Sequence, residues 1–150
     1  VKIIICGEGS ARDSLSEMIA RDGLKNILLL PLQAENDYRE MLADIDVALI
    51  TQQKGTGRAF FPSKLLNALA YARPVLAVAD EESELTRVLV EGKFGARVLP
   101  GDAEALARKL DGLAASPGEL AGFGAAGRKY VERFDRARVF AQFAEGVLRE

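Results

Sequence analysis

A chain of 150 residues, 49% hydrophobic and 28% charged, has the length and composition of one globular domain, and can bury roughly 70% of its unfolded surface without a disulfide or metal. Its net charge of −2, with acids and bases interspersed, excludes a dedicated nucleic-acid surface, and the absence of histidine removes the commonest general base and metal ligand. The longest apolar runs, at 3–6 and 27–30, fall far short of the roughly 20 residues of a spanning helix and no basic-then-apolar leader opens the sequence, so a cytoplasmic location is expected.

Short runs rich in Val, Ile and Leu alternate with amphipathic stretches, the pattern of strands covered by crossover helices, and this predicts an α/β fold with a parallel sheet. Strands are expected at 1–6, 26–30, 47–50, 74–78 and 96–99. A first helix is expected to start near Ser10, with Asp13 in a variant capping box and Leu15, Met18 and Ile19 on one face, and to end at Gly23. Tyr38, Met41, Leu42 and Ile45 mark the second helix, and the third spans 62–71 with Pro62 in its first turn. Ser83 is a cap for a fourth helix ending near Gly92, and Asp102 for a fifth carrying Leu106, Leu110 and Leu113. Two further helical patterns close the chain at 120–134 and 136–149, the second with Val139, Phe140, Phe143 and Val147 along one stripe. The single cysteine, Cys6, lies in an apolar run and reads as a buried structural thiol.

Ligands of open parallel sheets bind beyond the carboxyl ends of the strands, which singles out the loops at 7–10, 31–34, 51–61 and 79–82. Gly7-Glu8-Gly9-Ser10 lets the backbone approach a bound group and points amides towards negative charge, and it equally suits a plain tight turn. A dinucleotide fingerprint is not met, because Arg12 follows Ala11 where a third glycine belongs and no acidic residue closes the second strand. The polar loop 51–61 is long for a compact domain. It runs into Ser63, Lys64 and, one turn on, Asn67: a hydroxyl, a cation and an amide of the kind that hold a diphosphate.

The order of residues 3–9, Ile45-Asp46-Val47-Ala48-Leu49, Phe61-Pro62-Ser63-Lys64-Leu65-Leu66-Asn67, Arg73-Pro74-Val75, Gly95 and Pro100-Gly101-Asp102 resembles retaining GT-B glycosyltransferases of the group-1 family, family 4. Bacterial members that build surface polysaccharides look closest. The resemblance implies a Rossmann-like parallel sheet with flanking helices, the carboxy-terminal half of a GT-B fold, with two extra C-terminal helices. It implies that residues 1–150 form a nucleotide-sugar-binding domain without its first strand and helix, which in the family carry an arginine and a lysine gripping the diphosphate. The partners implied are the nucleotide-diphosphate sugar, as donor substrate rather than cofactor, and an amino-terminal acceptor-binding domain absent from this chain. Peripheral association with the inner face of the membrane would come through the full-length enzyme.

Two glutamates eight positions apart usually contact the ribose and donor sugar in that family. Here Asn67 takes the second place, and the first falls at or near Ala59. The family's glycine pair after the fourth strand is replaced by Asp80-Glu81-Glu82-Ser83, leaving Glu84 as the positional match to the glutamate that follows the pair. Four carboxylates in this segment would repel a diphosphate unless cations intervene. The family's last helix crosses back to the amino-terminal domain, and ordinary packing on its own sheet would explain the stripe at 139–147 as well.

The nucleotide-sugar-binding residues expected are therefore Gly7, Gly9, Ser63, Lys64, Asn67 and Glu84, with no metal and no nucleophile from this chain. The function expected is hexose transfer from a nucleotide-diphosphate sugar to a glycan or lipid-linked acceptor, through electrostatic stabilisation of the departing nucleoside diphosphate. The alternatives are a non-catalytic α/β interaction module and a GT-B sugar-nucleotide epimerase. A phosphoacceptor domain does not fit, since Ile50-Thr51 and Gly7-Glu8 stand where it needs an aspartate and an acidic pair.

Overall fold

The computed structural model describes residues 1–57 and 61–147, which fall into two compact units, one from Val1 to Asp44 and one from Ile45 onwards. The first unit is a strand, helix, strand, helix sequence: β1 (Ile3–Cys6), α1 (Arg12–Arg21), β2 (Ile27–Leu30) and α2 (Glu35–Asp44). β1 and β2 pair in parallel, with Ile3 opposite Ile27 and Cys6 opposite Leu30. The start of α1 differs from expectation. Its N-cap is Ala11, which has no side chain able to accept a hydrogen bond, so Ser10 caps nothing. Asp13 in the first turn and Arg21 in the last still complement the helix dipole. Cys6 is half-buried rather than buried, and its thiol donates to the Pro31 carbonyl at 3.3 Å.

The second unit holds β3 (Ala48–Thr51), α3 (Lys64–Ala70), β4 (Val75–Val78), α4 (Glu84–Gly92), β5 (Gly95–Val98), α5 (Ala103–Ala114), α6 (Pro117–Val131), a 3-10 turn (Glu132–Phe134) and α7 (Arg136–Val147). Its sheet runs in the order β3-β4-β5, all parallel, with Ala48 opposite Val75 and Val75 opposite Gly95. The expected parallel α/β pairing thus holds in both units, as a two-stranded and a three-stranded sheet.

Side chains alternate across β4 and so build two cores. Val75 and Ala77 join Leu65, Leu69, Leu85, Val88, Leu89, Phe94 and Tyr130 on one face, supplied by α3, α4 and the end of α6. Leu76 joins Val98 and Leu113 on the other, against Leu106 and Leu110 of α5 and Leu120 and Phe123 of α6. Ser83 and Asp102 cap α4 and α5 as expected, accepting from the amides of Thr86 and Ala105 at 3.1 and 2.8 Å.

α3 is shorter than the expected span and begins at Lys64, because Pro62 and Ser63 form the preceding turn, in which the Leu65 amide donates to the Pro62 carbonyl at 3.0 Å. α6 starts earlier than expected, at Pro117, whose fixed φ suits a first helical position. On α7, Val139, Phe140 and Phe143 are exposed, so packing on its own sheet does not account for the stripe. The Val147 side chain and residues 148–149 of the expected final helix lie outside the described residues.

Candidate functional site

Because β3 lies beside β4, the loops leaving their carboxyl ends are neighbours, and the structure joins them by backbone contacts. The Gly55 amide donates to the Asp80 carboxylate at 2.6 Å, and the Glu84 amide donates to the Gly57 carbonyl at 3.3 Å. Gly57 is buried against Ser83, and a Cβ placed on it would sit 2.4 Å from the Ser83 Cβ. No side chain fits that gap. The loop after β3 is thereby pinned to the amino terminus of α4 before it continues towards α3.

The first turn of α3 supplies the predicted polar group. Leu65, Ala68 and Leu69 are buried in the core, which leaves Ser63, Lys64 and Asn67 on the exposed side of the same helix. Ser63 occupies the N-cap position but its hydroxyl makes no capping bond, because its backbone is already helical at φ −58° and ψ −28°. The place assigned to the family's first glutamate, at or near Ala59, lies outside the described residues.

Ser83 and Glu84 have other employment. Ser83 is only 2% exposed, and its hydroxyl accepts from the Thr86 amide and donates to the Thr86 hydroxyl at 3.0 Å, so it caps α4 rather than facing a ligand. The Thr86 hydroxyl in turn donates to the Asp80 carbonyl at 2.8 Å. The Glu84 carboxylate is held by Arg87 one turn on, in a two-pronged pair that includes an Nε to Oε2 bond of 2.8 Å. This hydrogen bond draws the Glu84 pKa below the ordinary carboxylate range and raises that of Arg87. Arg87 reaches on to Glu91 at 3.2 Å, and Glu91, its pKa also lowered, chiefly by Arg133, accepts from Arg133 and from the Tyr130 hydroxyl at 3.5 Å. Of the four carboxylates in this acidic segment, Asp80 is thus turned onto a backbone amide and Glu84 onto a cation.

Gly7 and Gly9 lie in the other unit, between β1 and α1. Gly7 has φ +144°, and the turn is secured by Arg12, whose guanidinium donates to the Gly7 and Leu30 carbonyls at 2.9 and 2.8 Å. The residue that breaks the glycine fingerprint therefore staples the turn to the end of β2. The structure brings Ser63, Lys64 and Asn67 together on one helix face, places Glu84 on a neighbouring helix of the same unit, and carries Gly7 and Gly9 in a separate unit.

An open depression of about 560 Å³ lies elsewhere, beside β5 and α5, and contains none of these residues. Three of its charged side chains are engaged structurally: Asp102 caps α5, Arg108 pairs with Glu104 at 3.3 Å, and Arg97 donates to the Ala79 carbonyl at 3.4 Å. Among the described residues, no group of three His, Cys, Asp or Glu is placed to hold a metal ion, and no helix is long and apolar enough to cross a membrane.

The contacts that sequence reasoning missed are those of Gly55, Gly57, Thr86, Arg87 and the Asp80 side chain. Gly55 and Gly57 flanking Thr56 are the one visible signal. The partners of these two glycines lie about 25 residues away, which no local periodicity encodes.

Comparison with known proteins follows the same lines. A model of the family described as Glycosyl transferases group 1 matches residues 1–130. The putative colanic acid biosynthesis glycosyl transferase WcaI of Escherichia coli (strain K12) is 30% identical over 146 residues, covering 95% of this chain and 35% of WcaI. The probable glycosyltransferase WbjE of Pseudomonas aeruginosa is 35% identical over 108 residues, covering 70% of this chain and 26% of WbjE. Among solved structures, Anabaena HepE in complex with UDP-glucose superposes with a TM-score of 0.79 over 100% of this chain and 41% of its own, at 23% identity. TarM gives 0.73 over 97% of this chain and 28% of its own, at 21% identity, so both neighbours speak to the fold alone. The chain belongs to the group 1 glycosyl transferases, and it spans between a quarter and about a third of the length of the curated relatives it matches.

Proposed function

We propose that this chain is the donor-binding part of a glycosyltransferase that moves a hexose from a nucleotide-diphosphate sugar to a glycan or lipid-linked acceptor, working in the cytoplasm at the inner face of the membrane. The observation that carries this reading is the exposed group Ser63, Lys64 and Asn67 on one face of α3, at the carboxyl edge of a parallel sheet. Lys64 would counter the charge of the diphosphate, and Ser63 would donate to a phosphate oxygen. The Asn67 amide offers both a donor and an acceptor to a ribose diol. Glu84, if it meets the donor, does so as a carboxylate already held by Arg87, a cation that lessens the repulsion expected of an acidic turn. Transfer would then rest on stabilising the departing nucleoside diphosphate.

The acceptor would be held by an amino-terminal domain of the longer enzyme. We also propose that a strand and a helix of the donor domain precede Val1 there. Support comes from Ile4 and Leu28, which stand opposite each other in register and are 42% and 51% exposed, leaving one apolar face of a parallel sheet uncovered.

The test is calorimetric titration of the chain with UDP, GDP and ADP. Saturable binding of one of them, weakened roughly tenfold by Lys64→Ala through loss of a charge-assisted contact, is the expected result. Affinity that survives Lys64→Ala would move the donor site away from α3. If neither the wild-type chain nor one extended upstream binds a nucleotide, the chain is an interaction module instead.

A further inference from the structure

We infer that Asp80 is a positioning residue for the nucleotide-sugar site, its carboxylate clasping the loop after β3 against the amino terminus of α4. The inference rests on the donor reading proposed above. Asp80 is half-buried and anchored at both ends. Its main-chain carbonyl accepts from the Ser83 amide at 3.1 Å and the Thr86 hydroxyl at 2.8 Å, within the cap of α4. The carboxylate reaches out of that cap to the Gly55 amide at 2.6 Å. Two residues on, the Gly57 carbonyl takes the Glu84 amide, and its α-carbon lies against Ser83.

The segment also forms a local turn, in which the Thr56 amide and hydroxyl both donate to the Gln53 carbonyl. Such a turn orders the loop tip but does not say where the loop lies. The clasp does. By fixing Gly55 and Gly57 at the amino terminus of α4, it sets the point from which the chain leaves for α3, whose first turn carries Ser63 and Lys64. A loop free at this point would have to be ordered by the ligand, and affinity would fall by that cost. Asp80 is not proposed to touch the nucleotide. A carboxylate committed to an amide is also a weaker source of repulsion than a free one beside a diphosphate.

Two readouts test this on the 150-residue chain. The first is amide hydrogen exchange at Gly55. The second is calorimetric affinity for UDP, GDP and ADP. Asp80→Ala is expected to speed exchange at Gly55 tenfold or more and to weaken nucleotide binding threefold to tenfold. Asp80→Asn, whose amide oxygen still accepts the Gly55 proton, is expected to lie nearer to wild type on both. Gly57→Ala, which forces the loop off Ser83 with the carboxylate intact, is expected to weaken the nucleotide in the same way. Unchanged Gly55 exchange in Asp80→Ala overturns the clasp whatever the affinities show. Faster exchange with unchanged affinity in both Asp80→Ala and Gly57→Ala overturns the positioning role while leaving the donor reading intact. Failure of both the wild-type chain and one extended upstream to bind any of the three nucleotides removes the donor reading, and the positioning role with it, even where exchange upholds the contact itself.

Discussion

β4 in the second unit is enclosed on both faces, whereas β1 in the first leaves Ile4 exposed and β2 leaves Leu28 exposed. Helices flank the strands in both units, yet α1 buries no side chain and α2 buries only Leu42, while α3 and α4 bury Leu65, Leu69, Leu85 and Leu89. What differs is the number of covering layers. β4 has a strand on either side and a helical layer on each face, so every side chain it carries meets a partner. The stability of this chain therefore lies largely in residues 45–147, the unit that also carries Ser63, Lys64 and Asn67.

The sharpest way to break that contrast is Gly95→Ala. A Cβ there would lie 1.8 Å from the Val75 carbonyl oxygen, a backbone atom of the adjacent strand that cannot rotate away. Separation of β4 from β5 is expected to cost more than about 4 kcal/mol, enough to abolish cooperative unfolding in a thermal circular dichroism scan. A variant that melts like wild type would mean the strands are less tightly joined than their contact implies.

Next in size comes a matched pair. Phe94 is 0% exposed and packs on Tyr130 with ring centroids 5.1 Å apart, so Phe94→Ala is expected to cost about 3–5 kcal/mol. Leu28→Ala, on the open face of the first unit, is expected to cost less than about 1 kcal/mol. Urea unfolding measures both. Equal losses would show that the first unit is as well enclosed in solution as the second.

These contrasts also mark what can be read from the residues. The runs Ile3–Cys6 and Val75–Val78 look alike as sequence, because apolar periodicity reports a capacity for burial and not the presence of a second covering layer. Element positions were legible to within a few residues, since Ser83 and Asp102 act locally on the helices they open, whereas the start that Pro117 gives α6 was placed three residues late. Ser63, Lys64 and Asn67 were legible as a group for the same reason: helical spacing alone puts them on one face. Glu84 was legible as a position but not as an ion-paired group, because Arg87 reads in sequence as one more surface cation of α4. The Gly55 to Asp80 bond was beyond reach, being a backbone-to-side-chain contact between loops that only the strand order makes neighbours.

The smallest effect compares one exposed ion pair from each unit. Asp22 is held by Arg21 and Glu84 by Arg87, and in both cases the arginine depresses the carboxylate pKa. A carboxylate with a folded-state pKa below its unfolded value contributes stability that is present above the unfolded pKa, about 4.3 for glutamate, and lost as pH falls through the folded one. Thermal midpoints are therefore expected to differ between wild type and Arg87→Ala at pH 7 and to converge near pH 3. Exposed pairs contribute little singly, so Arg21→Ala, which severs a contact between adjacent residues, is expected to leave the midpoint unchanged at either pH. Arg87 differs in being one member of a network, for Glu91 carries the connection from α4 to Arg133 and Tyr130 beyond it, with the Arg133 guanidinium 4.4 Å from the centre of the Tyr130 ring. Cross-linking two elements restricts more of the chain than joining two neighbours, and it is this that a pH-dependent gap in Arg87→Ala, absent in Arg21→Ala, would measure.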